Sequence, residues 1–308
     1  MDFICYGFSL NDWERYRQEL ESALNICILS IALGKDNRHV LLHYIPANSS
    51  WETPIEWNDR IIDPSKPNIL HLGQGVAGQV FWDITRQPHA LIGGSTGSGK
   101  TVLLKIIIRQ ALALGISVVI IDLKGGIDFP GKNRNVAKCL NVQEIKDVLS
   151  HISVAMYSRE DELLSSRCAN IDEYNHRFDR SVPHCLVIVD ELAELFDTTG
   201  ATKEEKAELA EIERKITTIA RMGRAFGIHL LLATQRPDAN ILPGQIKSNL
   251  DFRICGRSDS ILSKIVLDNT DAATTIPSYS QGRFLTNDGT IFQAYWFTGD
   301  ALQEINPI

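Results

Sequence analysis

The chain has no long apolar run, no paired cysteines and no surplus of positive charge, and each absence narrows the field. Its longest apolar stretch near the start, residues 23–33, is broken by Asn25 and Ser30. That falls far short of the roughly 20 residues needed to span a membrane. No basic segment followed by an apolar core and a cleavage pattern opens the sequence, so nothing in it reads as a secretory signal. The six cysteines, Cys5, Cys27, Cys139, Cys168, Cys185 and Cys255, form no CxxC pair and no metal-ligand spacing. They read as reduced thiols in a cytoplasmic compartment. A formal net charge of -7 gives no overall sign of nucleic-acid binding, although a locally basic channel is compatible with an acidic protein. With 308 residues, 44% hydrophobic and 22% charged, the composition is that of a soluble globular protein with one large domain or a domain plus an appendage.

What the chain does have is Gly94-Ser95-Thr96-Gly97-Ser98-Gly99-Lys100-Thr101, a full match to the G-x4-G-K-[S/T] pattern. An apolar strand-like run at 89–92 precedes it and a helical run at 102–114 follows. Glycines let the backbone wrap a phosphate with its N–H groups, and the helix opening at Gly99 adds a positive dipole end. The expected ligands are ATP and Mg²⁺. Gly94, Ser95, Thr96, Gly97, Ser98 and Gly99 would cradle the phosphates, Lys100 would neutralise β- and γ-phosphate charge, and the Thr101 hydroxyl would ligate the metal. A glycine-rich turn with a solvated lysine is the alternative, and the agreement of strand, loop and helix argues against it.

A second apolar run, 185–189, ends in Asp190-Glu191. Asp190 is expected to hold the metal's water shell and Glu191 to orient and polarise an attacking water. Two adjacent carboxylates favour hydrolysis over phosphoryl transfer to a metabolite, and the plain alternative is a helix that opens on acidic residues. A strand at 228–233 runs into Thr234-Gln235-Arg236-Pro237, where Gln235 is the candidate to contact the γ-phosphate or its water. Ahead of it, 203–224 reads as a charged amphipathic helix ending with Arg221 and Arg224. Both arginines could simply favour a helix C-terminus, worth a few tenths of a kcal/mol. Alternatively, one is an arginine finger for a neighbouring subunit's nucleotide, worth on the order of 10³ in rate. The residues leave both readings open.

The rest of the chain supplies the frame. Residues 12–24 place Trp13, Tyr16, Leu20 and Leu24 at helical spacing, with Asn11 as a cap. Strands are expected at 26–33 and 38–45 around a turn at 34–37. Residues 46–67 read as a loop-rich connector in which Trp51 and Trp57 are packing anchors or base-stacking platforms. Gly73-Gln74-Gly75-Val76-Ala77-Gly78 imitates a dinucleotide fingerprint, but strands at 69–72 and 79–83 flank it and no helix follows, so it reads as a hairpin turn. A fully apolar run at 116–122 reads as a strand buried on both faces, and 143–167 as a long helix. Alternating buried strands and helices define an α/β fold, a doubly wound sheet with its chemistry at the strand C-termini. After the strand ending at Asp122 comes a glycine-rich, locally basic loop, 124–135. Its Lys132 and Arg134 are candidates for DNA-phosphate contacts, and a solvated surface loop is the alternative.

These motifs occur in a familiar order. Gly94-to-Thr101, Val187-Ile188-Val189-Asp190-Glu191-Leu192-Ala193-Glu194-Leu195, residues 223–237 and residues 246–254 together resemble the motor domain of FtsK/SpoIIIE-type (HerA/FtsK) DNA translocases. The resemblance runs over about residues 68–297, roughly three quarters of the chain. It implies a RecA-like, mainly parallel sheet in a ring, a homo-hexamer that threads DNA through its centre using ATP. Residues 11–45 look similar to the small domain that precedes such motors. The expected organisation is therefore a small α+β unit with its connector at 1–67 and the motor at 68–308. Asp122-Leu123-Lys124-Gly125-Gly126 stands where many translocases have Asp-Pro-Lys, and it also resembles the Lys-Gly-Gly of type VII secretion ATPases. No winged-helix module follows Phe297, an expectation against sequence-directed chromosome pumping. Residues 79–84 and Gly282-Arg283-Phe284-Leu285 look most like the FtsK-like coupling proteins of Gram-positive conjugative elements. The resemblance thus implies a DNA motor in conjugative transfer, cytoplasmic and served at the inner face of the membrane by anchored transfer machinery. A type VII-like protein-export ATPase is the alternative. A metabolite kinase would need neither the arginine-bearing helix nor the strand ending at Gln235.

Overall fold

The computed structural model describes residues 1–47, 54–236 and 242–303. Trp51 and Pro237 lie outside the described residues. The chain divides into two compact units, Met1–Thr53 with Gly75–Gly78, and Pro54–Gln74 with Gln79–Ile308. The connector residues 54–67 therefore belong to the second unit.

The first unit is a three-stranded antiparallel sheet of β1 (Asp2–Ile4), β2 (Ile26–Leu33) and β3 (His39–Pro46), in the order β1-β3-β2, with helices α1 (Leu10–Arg15) and α2 (Arg17–Leu24). Ile26, Ile28, Val40 and Leu42 form its core, with Phe3, Trp13 and Leu20 packed against them. The helical stretch starts earlier than its apolar spacing suggests, because Ser9 rather than Asn11 is the cap. The Ser9 hydroxyl accepts from Asp12 N at 3.3 Å, and the Asp12 carboxylate accepts from Ser9 N at 2.8 Å. The helix breaks at Tyr16 and ends at Asn25, which takes a left-handed φ of 51°.

The second unit is built on a ten-stranded sheet. Its strands are β4 (Ile69–Gly75), β5 (Gly78–Asp83), β6 (His89–Gly93), β7 (Ser117–Ile121), β8 (Val136–Cys139), β9 (Cys185–Val189), β10 (Ile228–Thr234), β11 (Phe252–Gly256), β12 (Arg283–Thr286) and β13 (Ile291–Ala294). The order is β5-β4-β13-β12-β11-β6-β10-β9-β7-β8. From β11 to β8 every pairing is parallel, whereas β12 joins β11 and β13 antiparallel. The expected α/β doubly wound sheet is thus present, with an antiparallel wing. β4 and β5 are neighbours joined across Val76-Ala77, so the GxGxxG look-alike is a turn. Helices α3 (Lys100–Ala113), α4 (Val142–Ser166), α5 (Ile171–Phe178), α6 (Leu192–Phe196), α7 (Lys203–Met222), α8 (Gly244–Lys247), α9 (Ser260–Leu267) and α10 (Asp271–Thr275) complete the unit.

Side chains alternate across a strand, so a strand covered on both faces must be apolar throughout. On one face Leu91, Val119, Val187 and Leu232 pack with Ile145 and Leu149 of α4, Ile212 and Ile216 of α7 and Val266 of α9. On the other Ile92, Ile120, Ile188 and Leu231 pack with Leu103, Leu104 and Ile107 of α3. Each such side chain contributes about 1.5–3 kcal/mol on burial. The connector is pinned to the same core. Trp57 is buried with Ile62, Ile106 and Tyr295, so it is an anchor and its ring is not available for base stacking. Asp59 accepts from Arg109 Nε at 2.7 Å and from Trp57 Nε1 at 2.8 Å. That guanidinium holds the Asp59 carboxyl below its usual range.

Two histidines sit inside the sheet. Burial pushes His89 on β6 down to about 4 and His229 on β10 down to about 3, the second also through the neighbouring His184. Both stay neutral in the fold but take up a proton near 6.5 in the unfolded chain. The unfolded state therefore binds more protons below that pH, and stability must fall as pH drops. The thermal midpoint should be level above pH 7 and decline by at least about 3 °C between about pH 6.5 and pH 4. A calorimetric midpoint that stays flat through this window would contradict the neutral, buried state of these rings.

Candidate nucleotide site

The pairing register brings the expected chemistry to one edge. Gly93 pairs with Thr234, Val189 with Leu232 and Ile121 with Val189. The C-terminal ends of β6, β10, β9 and β7 thus align, and the residues after them, Gly94, Gln235, Asp190 and Asp122, share that edge. Asp190 N donates to Ile121 O at 3.1 Å and Asp122 N to Cys139 O at 3.0 Å, so both carboxylates are fixed by the last ladder bonds.

The loop from Gly94 to Thr101 is braced by backbone on several sides. Gly94 N donates to Thr234 O at 3.3 Å, Ser95 N to Arg257 O at 2.8 Å, and Gly282 N to Ser98 O at 2.8 Å. Gly99 has φ +99°, and a Cβ there would lie 2.8 Å from Gly282 N, so both conformation and space require glycine. The Ser98 hydroxyl is buried without a partner. Arg257, just beyond β11, donates from Nη2 to Thr96 O at 2.6 Å and from Nη1 to Ser278 O at 2.8 Å. Neither Arg257 nor the close approach of Gly282 is apparent from motif spacing. Gly282 does lie in the segment 282–285 that resembles the coupling proteins, whereas Arg257 falls just outside the translocase-like segment 246–254.

The fold brings Lys100 to Asp190, with Glu191 beside them. The Lys100 ammonium donates to Asp190 O at 2.6 Å and to Asp190 Oδ1 at 3.2 Å, with both side chains buried. Glu191 accepts from Thr234 Oγ1 at 2.9 Å and from Gln235 N at 3.0 Å. Gln235 in turn accepts from the Thr96 hydroxyl at 3.0 Å. A continuous polar path therefore joins Glu191, the end of β10 and the phosphate loop. Lys124, another residue that spacing did not single out for the chemistry, places its ammonium 3.9 Å from Asp190 Oδ2 and 3.7 Å from Glu191 Oε2. Thr101 and Asp190 offer hydroxyl and carboxylate oxygens, the donor set of a hard divalent cation. Among the described residues no group of three or more His, Cys, Asp or Glu forms a self-contained metal site.

Beside the loop lies a cavity of about 600 Å³ lined by Ser98, Lys100, Thr101, Gln235, Gln293 and Trp296 among others. Its far wall is made where Trp57 N donates to Trp296 O at 2.8 Å and Trp296 N to Ile55 O at 2.7 Å. The anchored connector thus builds part of the site.

The remaining candidates lie elsewhere. Arg221 and Arg224 are exposed and stand just before β10 begins, at the opposite end of that strand from Thr234. At about 3.3 Å per residue that is roughly 20 Å from their own phosphate loop. They line a second cavity of about 670 Å³ with Arg86, Asp172 and His184. The turn carrying Arg224 is held firmly: Ile171 N donates to Ala225 O at 2.9 Å, Cys185 N donates to Gly227 O at 2.9 Å, and Arg159 binds Phe226 O. Below it His184 lies 2.8 Å from His229 Nε2 and 3.0 Å from Asp172 Oδ1. Lys132 and Arg134 are exposed too, but not where a loop at a strand C-terminus was expected to place them. β8 runs parallel to β7, so the crossover descends past the sheet edge, and Val118 N already pairs with Asn135 O. Both side chains therefore sit towards the strands' N-terminal end, and only Lys124 stays beside the phosphate loop.

An α/β sheet whose parallel strands end in a phosphate loop and an Asp-Glu pair defines a P-loop nucleoside triphosphatase. Residues 80–229 match the family described as Helicase HerA, central domain. The DNA translocase FtsK of Helicobacter pylori is 33% identical over 227 residues, 69% of this chain. This chain spans only 26% of the length of that FtsK. The structure of the pCW3 conjugation coupling protein TcpA, in its monomer form with ATPγS, is 35% identical with a TM-score of 0.79. It covers 97% of this chain and 85% of that one. The cytoplasmic domain of the type VII secretion ATPase EccC of Thermomonospora curvata is 27% identical with a TM-score of 0.61, covering 80% of this chain and 33% of that one. The chain belongs to the FtsK/HerA-type family of motor ATPases.

Two substitutions test the site. Lys100→Ala removes the cation at the centre of the loop and should abolish ATP hydrolysis and weaken nucleotide binding in a protein that still folds. Glu191→Gln should keep nucleotide bound while turnover stops. Its amide loses one acceptor facing Gln235 N, so stability should drop by only about 1 kcal/mol. Wild-type turnover in either purified variant, measured by phosphate release, would refute the assignment.

Proposed function

We propose that the protein is an ATP-hydrolysing, ring-forming motor that moves DNA in conjugative transfer. The observation that carries this reading is the likeness to the TcpA coupling protein, which extends over nearly the whole of both chains. Lys100 neutralises phosphate charge, Glu191 orients the water, and Gln235 is placed to pass the state of the phosphates to the end of β10. Thr101 and Asp190, together with the nucleotide, would hold Mg²⁺, which would supply charge neutralisation at the phosphates. A type VII-like protein-export motor is the second reading, favoured by the EccC likeness and by Lys124-Gly125-Gly126. Among the described residues no helix is long and apolar enough to cross a membrane. The motor would work on the cytoplasmic side, with membrane-anchored transfer machinery as its partner.

DNA separates the two readings. ATPase rate should rise with double- or single-stranded DNA, and that stimulation should weaken from low to high salt, because phosphate contacts release counter-ions. An ATPase indifferent to DNA at both salt concentrations would leave the export reading ahead.

The distance of Arg221 and Arg224 from their own phosphate loop supports action across a homo-hexameric interface. Arg224→Ala subunits should be inactive alone. Mixed with Glu191→Gln subunits they should regain part of the activity, since an intact Glu191 site can then receive a neighbour's intact Arg224. Absence of recovery in mixtures shown by mass spectrometry to co-assemble would rule out Arg224 as a finger in trans.

A further inference from the structure

Three carboxylates crowd the edge where β7 and β9 end. Asp122, Asp190 and Glu191 are all buried, and Lys100 directly meets only Asp190. A buried carboxylate without a counter-charge is costly, and Lys124 offsets the deficit from the open side. Its side chain is 39% exposed, whereas those of Asp190 and Glu191 are 2% and 5% exposed. Local backbone chemistry puts it there. Asp122 Oδ1 accepts from Lys124 N at 2.9 Å, which turns the chain as soon as β7 ends. Gly125 follows with φ +92°, and a Cβ there would touch nothing within 4 Å. Glycine is needed at 125 for conformation and not for space. The backbone leaves the edge while the Lys124 side chain stays folded over the two carboxylates.

An ammonium 3.9 Å from Asp190 Oδ2 and 3.7 Å from Glu191 Oε2 is within strong Coulomb range of both yet beyond hydrogen-bond distance of either. A divalent cation drawn to Asp190 approaches the same oxygens and is repelled by Lys124. We propose that Lys124 is a built-in counter-ion that competes with the nucleotide's divalent cation for Asp190 and Glu191, and thereby sets the metal requirement of the site. This inference rests on the ATPase reading of that site. Lys124 is a positioning residue in this account: it holds the carboxylates apart from solvent and yields to the metal, and it makes no contact with the reacting phosphate.

The test uses Mn²⁺ as the probe, with binding to the full chain saturated with ATPγS measured by electron paramagnetic resonance. Lys124→Met keeps the apolar stem and removes the charge. It should raise Mn²⁺ affinity about fivefold, the size expected of an ion pair that is partly screened by solvent. The Mg²⁺ concentration for half-maximal ATP hydrolysis should fall by a similar factor. Lys124→Arg should behave like the wild type, and Lys124→Gln should repeat the Met result should that variant fold poorly. Unchanged or weaker Mn²⁺ binding in both neutral variants would overturn the proposal. So would weaker ATPγS binding in EDTA with Mn²⁺ affinity intact, which would make Lys124 a phosphate contact. A wild type that binds no Mn²⁺ in the presence of ATPγS, even with Lys124 in place, would instead remove the ATPase reading beneath it.

Discussion

The Lys100–Asp190 pair is the interaction on which the rest of the structure depends. Both side chains are almost wholly removed from water, at 3% and 2% exposure, so their desolvation is large and their mutual attraction does little more than offset it. Such a pair is weak evidence for stability and strong evidence for a site that must be charged before its ligand arrives. What tolerates it is the two-sided apolar core. Strands β6 and β10 are buried along their whole length, and β9 beyond Cys185, between α3 on one face and α4 and α7 on the other. That rigidity keeps the loop's lysine and the strand-end carboxylate within 3.2 Å. A looser core would let either charge relax towards solvent, and the geometry with it.

How much of this was legible in the sequence follows from how local each feature is. The phosphate loop and the Asp-Glu pair are written in single strand-loop units, and buried parallel strands are unbroken apolar runs, so motif and fold class could be read together. Gln235 was legible for the same reason, being the first residue beyond an apolar strand. Arg257 and Gly282 were not, because their contacts with the loop cross more than 150 residues of chain and no local pattern encodes them. The descent of the 122–135 crossover was also hidden. Spacing shows that a loop follows β7, but only the parallel pairing with β8 shows that it must run back to the strand's N-terminal end. The misplaced cap at Asn11 is a smaller case of competition between local signals. Ser9 and Asp12 satisfy each other reciprocally, whereas Glu14, the residue that would close such a box with Asn11, is held by Arg17.

The two ends of the sheet have different electrostatic characters. The C-terminal edge gathers Asp122, Asp190 and Glu191 around two lysines. The N-terminal end of β10 carries Arg221 and Arg224 beside Arg86, with no phosphate loop of their own in reach. His89 and His229 stand at the start of β6 and β10, towards that arginine end, and their burial keeps them neutral. Neutral rings at these buried strand starts place no net charge in the core, where it would be most costly.

The phosphate loop itself shows why backbone contacts matter more than side chains in holding it. A loop that wraps phosphate must present N–H groups inward, which leaves its outer carbonyls to be satisfied elsewhere. Here Thr96 O is taken by the Arg257 guanidinium and Ser98 O by Gly282 N. The Gly282 contact is possible because Gly99 lacks a Cβ, which would lie 2.8 Å from Gly282 N, while at Gly282 itself a Cβ would run into the Gln293 amide. The same segment is tied onward, since Ala294 N donates to Gly282 O at 2.7 Å and Gln293 Nε2 to Gln281 O at 2.9 Å. The antiparallel wing of β12 and β13 is therefore the outer support of the loop, and the wall of Gln293, Tyr295 and Trp296 that borders the cavity is the continuation of that support. The Ser98 carbonyl's partner and the cavity wall are thus carried by one and the same antiparallel wing, while Arg257 secures Thr96 from the end of β11.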